Sequence, residues 1–422
     1  MPLAARTLGR EEFGIYATVS MSLFAVNLLQ LGVGPAAAKG ISEAAAASDR
    51  EREARIYWNG TILVLSLGIL AVSLIGLVVG LVPIPLLFGA AYAPWAPVMI
   101  PGLLLASALL AGEFLAAFQD RIREGYMEAS VANAWAAAAN MLCAIAVILG
   151  MTFHPSVCVL LVCVFVPNIL ARIVNGAFLL RKRPYLLSWR SRPERTVMAG
   201  LISDGLSFSA TRTIVYLVEY NLCALVVGRL LGPGPVAIFQ VLMSLNTAFV
   251  GLMIMVGTPT WAALIDARAH GDRVWMARST GNFYRFLAAC FVPVATGLIF
   301  FGPWILRKWY GPEFIGSHTL FAAHSVLLLA LGWREVNHHL CIGLGKLRDS
   351  VRPILLGLGL GFTLGIAGLH MAGLWGLFFG LGIGTLLIPG RRLPALVGSE
   401  VQPLVPLSSC DLRGMPSITP VP

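Results

Sequence analysis

Eleven stretches of this sequence are long and apolar enough to cross a lipid bilayer as helices. A spanning helix needs roughly 20 mostly apolar residues. Only 12% of the residues are charged, about half the share of a soluble domain. The segments are 14–37, 59–82, 97–118, 129–152, 156–180, 204–228, 235–257, 283–306, 319–342, 353–371 and 373–390. The sequence therefore predicts an all-α polytopic membrane protein.

The loops between these segments differ in charge. Of the 30 Lys and Arg residues, 21 fall on one set of alternate loops, 5 on the other set and 4 within segments. Basic loops remain on the cytoplasmic side of a membrane, so the richer set, which includes 39–55 and 181–195, is predicted to be cytoplasmic. The net charge of +10 then reflects an inner face that meets anionic membrane lipids. We expect no nucleic-acid partner.

The two halves of the sequence repeat each other at an offset of 222 to 223 residues. The matched positions are Leu8-Gly9 with Leu231-Gly232, Asp49-Arg50 with Asp272-Arg273, Phe88-Gly89 with Tyr310-Gly311, and Glu113 with Glu335. Two homologous membrane halves are the usual plan of a secondary transporter. The pattern predicts two homologous helical lobes and the class of secondary transporters.

The same features predict how the chain is divided. Residues 1–180 form an N-terminal lobe with five visible helices, 181–196 a basic cytoplasmic linker, 197–390 a C-terminal lobe with six helices, and 391–422 a disordered tail. The second copy of the repeat is preceded by a helix, whereas no helix precedes Leu8. The sequence thus predicts that the given start lacks the first helix of a six-plus-six protein.

Several polar side chains lie inside the predicted spans. An ionised group there costs about 2.5 to 3.5 kcal/mol on insertion, so it normally faces a cavity or a partner. The candidates for a substrate cavity are Arg172, Arg212, Glu219, Asn27, Gln30, Asn168 and Asn175. Arginine in such a cavity favours an anionic ligand group, and amides can hydrogen-bond to a polar ligand. The alternative is that these groups satisfy each other between helices or reach toward the membrane surface.

A second set of candidates concerns coupling or gating. Glu113 and Glu335 are equivalent in the repeat, and Arg334 adjoins the second glutamate. A carboxylate at a partly dry depth could carry a proton through a transport cycle. Each could equally pair with a basic group as an inner-gate latch, or cap a helix near the interface. His338-His339 lack further ligands at matching depth, so we expect neither a metal site nor a cofactor.

Four runs carry a resemblance to a known family. They are 8–16 (LGREEFGIY), 31–34 (LGVG), 309–314 (WYGPEF) and 343–346 (GLGK). The sequence resembles the polysaccharide biosynthesis proteins, the O-antigen-type flippases of the multidrug, oligosaccharidyl-lipid and polysaccharide exporter superfamily. The similarity spans roughly residues 8 to 390. In that family a helix precedes the Leu-Gly motif. This sequence departs from that pattern, because it shows no helix before Leu8.

The resemblance implies a V-shaped alternating-access transporter with two helical lobes around a central cavity. It would act as a flippase of the bacterial cytoplasmic membrane. Its cargo would be a polyprenyl-diphosphate-linked oligosaccharide, destined for lipopolysaccharide or exopolysaccharide. Its partners would be membrane lipids, a polysaccharide polymerase and other assembly proteins. A cation-coupled multidrug antiporter of the same superfamily is the alternative. A membrane polymerase or ligase is less favoured, because the outer loops are short and nearly uncharged, and we expect no enzyme.

Overall fold

The computed structural model describes residues 1–24, 32–187 and 193–401, and within these ranges it contains helices and no strand. The helices of the first half are α1 (Pro2–Phe24), α2 (Val33–Ala46), α3 (Arg50–Leu81), α4 (Ile84–Phe88), α5 (Ala96–Gly125), α6 (Ala129–Phe153) and α7 (Val157–Lys182). Those of the second half are α8 (Arg195–Tyr216), α9 (Cys223–Leu231), α10 (Pro233–Ala269), α11 (Arg273–Tyr310), α12 (His318–Gly343), α13 (Leu347–Ala372), α14 (Leu374–Leu387) and α15 (Pro389–Val401). A π-helical turn, Leu217–Leu222, joins α8 to α9.

Ten helical stretches of the described chain are long and apolar enough to cross a membrane. Each overlaps one of the predicted segments from 59–82 to 373–390, which confirms the all-helical membrane fold. The predicted segment 14–37 falls partly on residues outside the described ranges. Contacts join the loops predicted to be cytoplasmic at one end of each half, called here the basic end: Glu53 accepts from Tyr126 and Tyr185, and Glu400 pairs with Arg268 and Lys346. The loops of the other set lie at the opposite end.

The prediction of a disordered tail from residue 391 is wrong for its first part. Residues 389–401 form α15, which buries Leu393 and Val397 one turn apart. The helix is anchored by the Trp333 indole, which donates to the Gly390 carbonyl at 2.9 Å, and by Glu400, which pairs with Lys346 at 3.1 Å. The stretch is rich in prolines and polar residues, so its short amphipathic pattern was not recognised in the sequence. The predicted tail beyond 401 lies outside the described residues.

The repeat found in the sequence corresponds to local backbone structure. Asp49 and Asp272 are the N-caps of α3 and α11, and each carboxylate accepts a backbone N–H three residues on at 2.9 Å. Gly9 and Gly232 share a φ of 80° and 86° with extended ψ. This left-handed region is almost closed to residues with a Cβ. The repeated dipeptides are therefore turn and cap signals, placed at the same points of both halves.

The two halves meet through α1 and α10. A Cβ built on Gly14 would lie 2.0 Å from the Pro233 carbonyl oxygen, so the two backbones are in direct contact there. The Thr18 hydroxyl lies 2.9 Å from the Tyr92 hydroxyl, which ties α1 to the turn after α4. These contacts bury the middle of α1 and place this helix at the centre of the bundle.

A glycine seam holds α13 against α14. Cβ atoms built on Gly376, Gly380 and Gly384 would lie 2.1 to 2.4 Å from backbone atoms of α13. Small residues allow this closeness, which strengthens van der Waals contact between helices in a membrane. The seam explains why helices with so little polar surface stay together.

Gly380→Leu should therefore destabilise the protein. The new side chain meets the backbone of Leu364 and Gly365, and forced packing of this kind costs about 1 to 3 kcal/mol or more. We expect a lower thermal unfolding temperature of the detergent-purified protein. Gly359→Leu is the matched control, because a Cβ at Gly359 meets nothing within 4 Å. Equal unfolding temperatures for the two variants would contradict the seam.

Candidate functional site

The second half contains a buried cluster of three ionisable side chains, which we call the C-lobe triad: Glu219, Arg334 and Glu335. The Arg334 guanidinium donates to both carboxylate oxygens of Glu219, the second at 3.1 Å. It also donates to Glu335 Oε1 at 3.2 Å. The side chains are 5%, 6% and 18% exposed, so most of this charge lies away from water.

The π-helical turn explains why Glu219 faces inward. The turn at Leu217–Leu222 interrupts the regular register between α8 and α9 and directs Glu219 to Arg334 on α12. Such turns are rare and occur frequently at functional sites. The triad holds two carboxylates against one guanidinium, so it carries one excess negative charge when fully ionised. Arg212 on α8 lies within electrostatic range of Glu335 and offsets part of it.

The first half contains a matching cluster, the N-lobe triad: Glu113, Asp120 and Arg172. The Arg172 guanidinium on α7 donates to Glu113 on α5, and its Nε lies 3.1 Å from Asp120 Oδ2. The Asn175 amide donates to Asp120 Oδ1 at 2.7 Å. The three charged side chains are 15% to 22% exposed, and Glu113 Oε2 has no hydrogen-bond partner among the described residues.

Each triad consists of one arginine and two carboxylates, but the two triads take these residues from different positions. Glu113 and Glu335 occupy equivalent positions of α5 and α12. Arg172, the partner of Glu113, comes from a different helix, α7. Arg334 is instead the residue directly before Glu335. Both glutamates are thus paired with a basic group, one of the arrangements that the sequence allowed. The N-lobe triad is the more open of the two.

The remaining candidates lie apart from the triads or outside the described residues. Arg212 is exposed on α8, and no ion pair joins it to another described residue. The Asn168 amide donates to Cys143 Sγ and to the Val164 carbonyl at 3.0 Å each. Asn27 and Gln30 lie outside the described residues. A cavity lined by Arg212, Asn168, Asn27 and Gln30 remains a prediction.

Sequence reasoning missed Asp120. It lies seven residues after Glu113, on the same face of α5, and this spacing was a usable signal. It also missed Asn221, whose side chain is buried although it lies in an apolar helix. A lone asparagine beside Glu219 carries no spacing signal, because the π-helical turn that orients it was not visible in the sequence.

A further cluster fixes the basic end of the first half. Buried Glu53 accepts hydrogen bonds from the hydroxyls of Tyr126 and of Tyr185, the latter at 2.7 Å. Glu128 receives Arg123, Lys182 and Arg183 at 2.7 to 2.9 Å. Partial burial alone would raise the pKa of Glu128, but Arg183 and Lys182 outweigh it and lower that pKa to about 2. The cluster ties α5 to α7.

Glu128 should make the stability depend on pH in the acid range. Its pKa in the folded protein lies below the usual 4.5, so its stabilising effect is present above that value and is lost as the pH falls toward 2. We expect the unfolding temperature of the wild-type protein to exceed that of Glu128→Gln at pH 6, and the gap to shrink at pH 3. Exposed Glu51, changed to Gln, is the control. A gap that is constant with pH would contradict the assignment.

Three solved structures of low sequence identity share this fold. The inward-facing conformation of a multidrug resistance MATE family transporter of the MOP superfamily has a TM-score of 0.81 at 16% identity, covering 94% of this chain and 93% of that chain. A MOP superfamily transporter from Pyrococcus furiosus, described with a reversed polarity of its binding pocket, has a TM-score of 0.65 at 15% identity, over 94% of both chains. The outward-facing MATE conformation gives 0.64 at 13% identity, covering 95% of this chain and 97% of that chain.

A family model matches the sequence, and it shows the family of this chain. No curated protein sequence matches the chain. The family model described as polysaccharide biosynthesis protein matches residues 1–264, which is more than half of the chain. The resemblance noted in the sequence motifs is thereby confirmed. The chain belongs to the polysaccharide biosynthesis protein family and has the fold of MOP-superfamily membrane transporters.

Proposed function

We propose that this protein is a flippase that moves a polyprenyl-diphosphate-linked oligosaccharide across the bacterial cytoplasmic membrane by alternating access. The cargo would serve the synthesis of a surface polysaccharide. The observation that carries the proposal is the position of Arg212, an exposed guanidinium on the helix that lies between the two halves. Helix α8 packs on α2 and α3 of the first half and on α13 of the second.

Arg212 has the chemistry needed for an anionic head group. Arg172 and Arg334 are each engaged by two carboxylates, so neither offers its full charge to a ligand. Arg212 is exposed and joined by no ion pair to a described residue, although it lies within electrostatic range of Glu335. A guanidinium binds phosphate oxygens through two parallel hydrogen bonds. The family of this chain supports a sugar-bearing cargo for the same site.

A cation-coupled multidrug antiporter is the second candidate. The buried carboxylates of both triads favour it, because they suit a cationic cargo or a coupling cation. The fold is equally compatible with it. The two candidates differ in the sign of charge that the cargo brings to α8, so a substitution of Arg212 separates them.

Export of the lipid-linked oligosaccharide is the function to measure first. We expect cells that lack the gene to accumulate the polyprenyl-diphosphate-linked oligosaccharide, and the gene to reverse this. Arg212→Gln should slow export about 10- to 100-fold, because it removes one charge-assisted hydrogen-bond pair. Arg212→Lys keeps the charge and should slow export less. Arg285→Gln is the control, an exposed arginine on α11. Unchanged pools with altered tolerance to cationic toxins would instead support the antiporter.

We further propose that the C-lobe triad couples transport to a proton or cation. Its excess carboxylate provides one buried negative charge that can be neutralised and released. Glu335→Gln removes that charge, and Glu113→Gln removes the equivalent one in the first half. We expect each to reduce export severalfold at unchanged protein level in the membrane. Glu400→Gln, a carboxylate of the basic end, is the control. Normal export by both variants would exclude coupling through these glutamates.

A further inference from the structure

A basic cavity lies at the opposite end, where the start of α1 meets the end of α11. Its volume is about 420 Å³. Among the described residues that line it, Arg6, Arg307 and Lys308 are cationic and Glu313 is acidic. The three cationic residues are exposed, and no ion pair joins them to another described residue. Basic residues are disfavoured on this side of a membrane protein, yet three of the five on the loops of this set line this cavity.

One of these cations has a structural role that both halves share. The Arg6 guanidinium donates to the Lys308 carbonyl and so caps the end of α11. At the equivalent point of the first half, the Arg229 guanidinium donates to the Leu86 carbonyl at 3.4 Å. An arginine at this point is therefore explained by the fold. A guanidinium has five N–H donors, so one hydrogen bond leaves most of the Arg6 donors for a ligand.

The other two cations have no counterpart in the repeat. The glycine after each helix donates its N–H to the carbonyl four residues earlier, that of Arg307 at 3.1 Å and that of Pro85 at 2.9 Å. These bonds align the two helix ends, and Arg307-Lys308 then corresponds to Pro85-Leu86. Cations favour a helix C-terminus, but α4 makes the same turn without them. The fold therefore does not require the charges of Arg307 and Lys308.

An apolar surface adjoins the basic cavity. A second cavity of about 420 Å³ is lined by Pro2, Leu3, Arg6 and Trp309, so Arg6 borders both cavities. Leu3 and Trp309 are 36% and 58% exposed. Tryptophan at the end of a membrane helix lies at the level of the lipid head groups. The two cavities thus offer positive charge beside an apolar surface, at the depth where a lipid head joins its chains.

We propose that these cavities bind an anionic lipid of the leaflet at the opposite end. Its phosphate lies at the three cations of the basic cavity, and its chains lie along Leu3 and Trp309. Guanidinium and ammonium groups bind phosphate oxygens through charge-assisted hydrogen bonds. Two kinds of lipid share this chemistry: an anionic phospholipid of the membrane and a polyprenyl diphosphate.

The site keeps its positive charge and lies apart from Arg212. The Glu313 carboxylate accepts the backbone N–H of Arg10 at 3.1 Å, so it already has a structural partner. Three cations and one carboxylate leave the basic cavity with a net charge of +2 when all are ionised. Arg212 precedes the end of α9 at Leu231 by 19 residues, roughly 28 Å along the helix axis. The proposal is therefore independent of the proposed function.

Photocrosslinking of the full-length protein in lipid nanodiscs tests the site. The probes are phosphatidylglycerol and phosphatidylcholine with the same diazirine near the head group, so they differ in net charge. We expect phosphatidylglycerol to label peptides that contain 1–10 and 304–310 about tenfold more than phosphatidylcholine. The double variant Arg307→Gln, Lys308→Gln should lose this preference. The double variant Arg391→Gln, Arg392→Gln is the matched control, because it removes two exposed charges at the basic end.

A second measurement needs no substitution. Salt at about 1 M screens exposed charges, so it should reduce the preference of the wild-type protein for phosphatidylglycerol. Equal labelling by the two phospholipids at low salt, or a preference that survives in a folded Arg307→Gln, Lys308→Gln variant, would overturn the site.

A third probe identifies the lipid. It is a polyprenyl diphosphate without a sugar, added as an unlabelled competitor. Displacement of the phosphatidylglycerol label at equal concentration would assign the site to the isoprenoid carrier, and persistence of the label would assign it to a membrane phospholipid. Neither result depends on export of an oligosaccharide. Arg212→Gln should label like the wild type, and loss of the label in that variant would overturn a site separate from the transport path.

Discussion

Charge inside an apolar helix bundle must be paired, and this requirement organises the polar interior of the protein. Each half contains one arginine between two carboxylates: Arg172 in the first and Arg334 in the second. Removal of either arginine would leave two carboxylates buried without a counterion, a change that costs several kcal/mol. The helices that carry these groups are therefore fixed in rotation relative to each other. That fixed rotation sets which other side chains reach the space between the halves.

The local signals of the sequence were sufficient for the architecture. Asp49 and Asp272 cap equivalent helices, and Gly89 and Gly311 share positive φ angles of 108° and 117°, because caps and glycine turns depend on a few neighbouring residues. The partners of buried charges depend instead on how helices rotate against each other. The spacing of Glu113 and Asp120 indicates a shared face of α5, but their pairing with Arg172 on another helix and the π-helical turn at Glu219 were for that reason beyond the sequence.

The two triads differ in exposure, and this difference favours separate roles. The N-lobe triad is 15% to 22% exposed, and Glu113 Oε2 has no hydrogen-bond partner among the described residues. In the C-lobe triad, Arg334 and Glu219 are 6% and 5% exposed, whereas Glu335 is 18% exposed. A change of protonation in the drier cluster alters the local energy more, because a lower dielectric strengthens each interaction. The dry pair of Arg334 and Glu219 is therefore the part of the C-lobe triad that best fits the proposed coupling role.

The alternating-access cycle proposed for this protein would also break the contacts at the opposite end, and these contacts are reciprocal. The backbone N–H of Arg10, beside Gly9, donates to Glu313 at 3.1 Å, which joins the start of the first half to the turn after α11. In the equivalent contact, a Cβ on Gly89 would lie 2.9 Å from the Arg229 carbonyl, which joins the turn after α4 to the end of α9. The repeat makes these two contacts counterparts. In the proposed alternating-access cycle, a rotation of one half that separates one pair would also separate the other, because the repeat relates them, and the end would then open in one step.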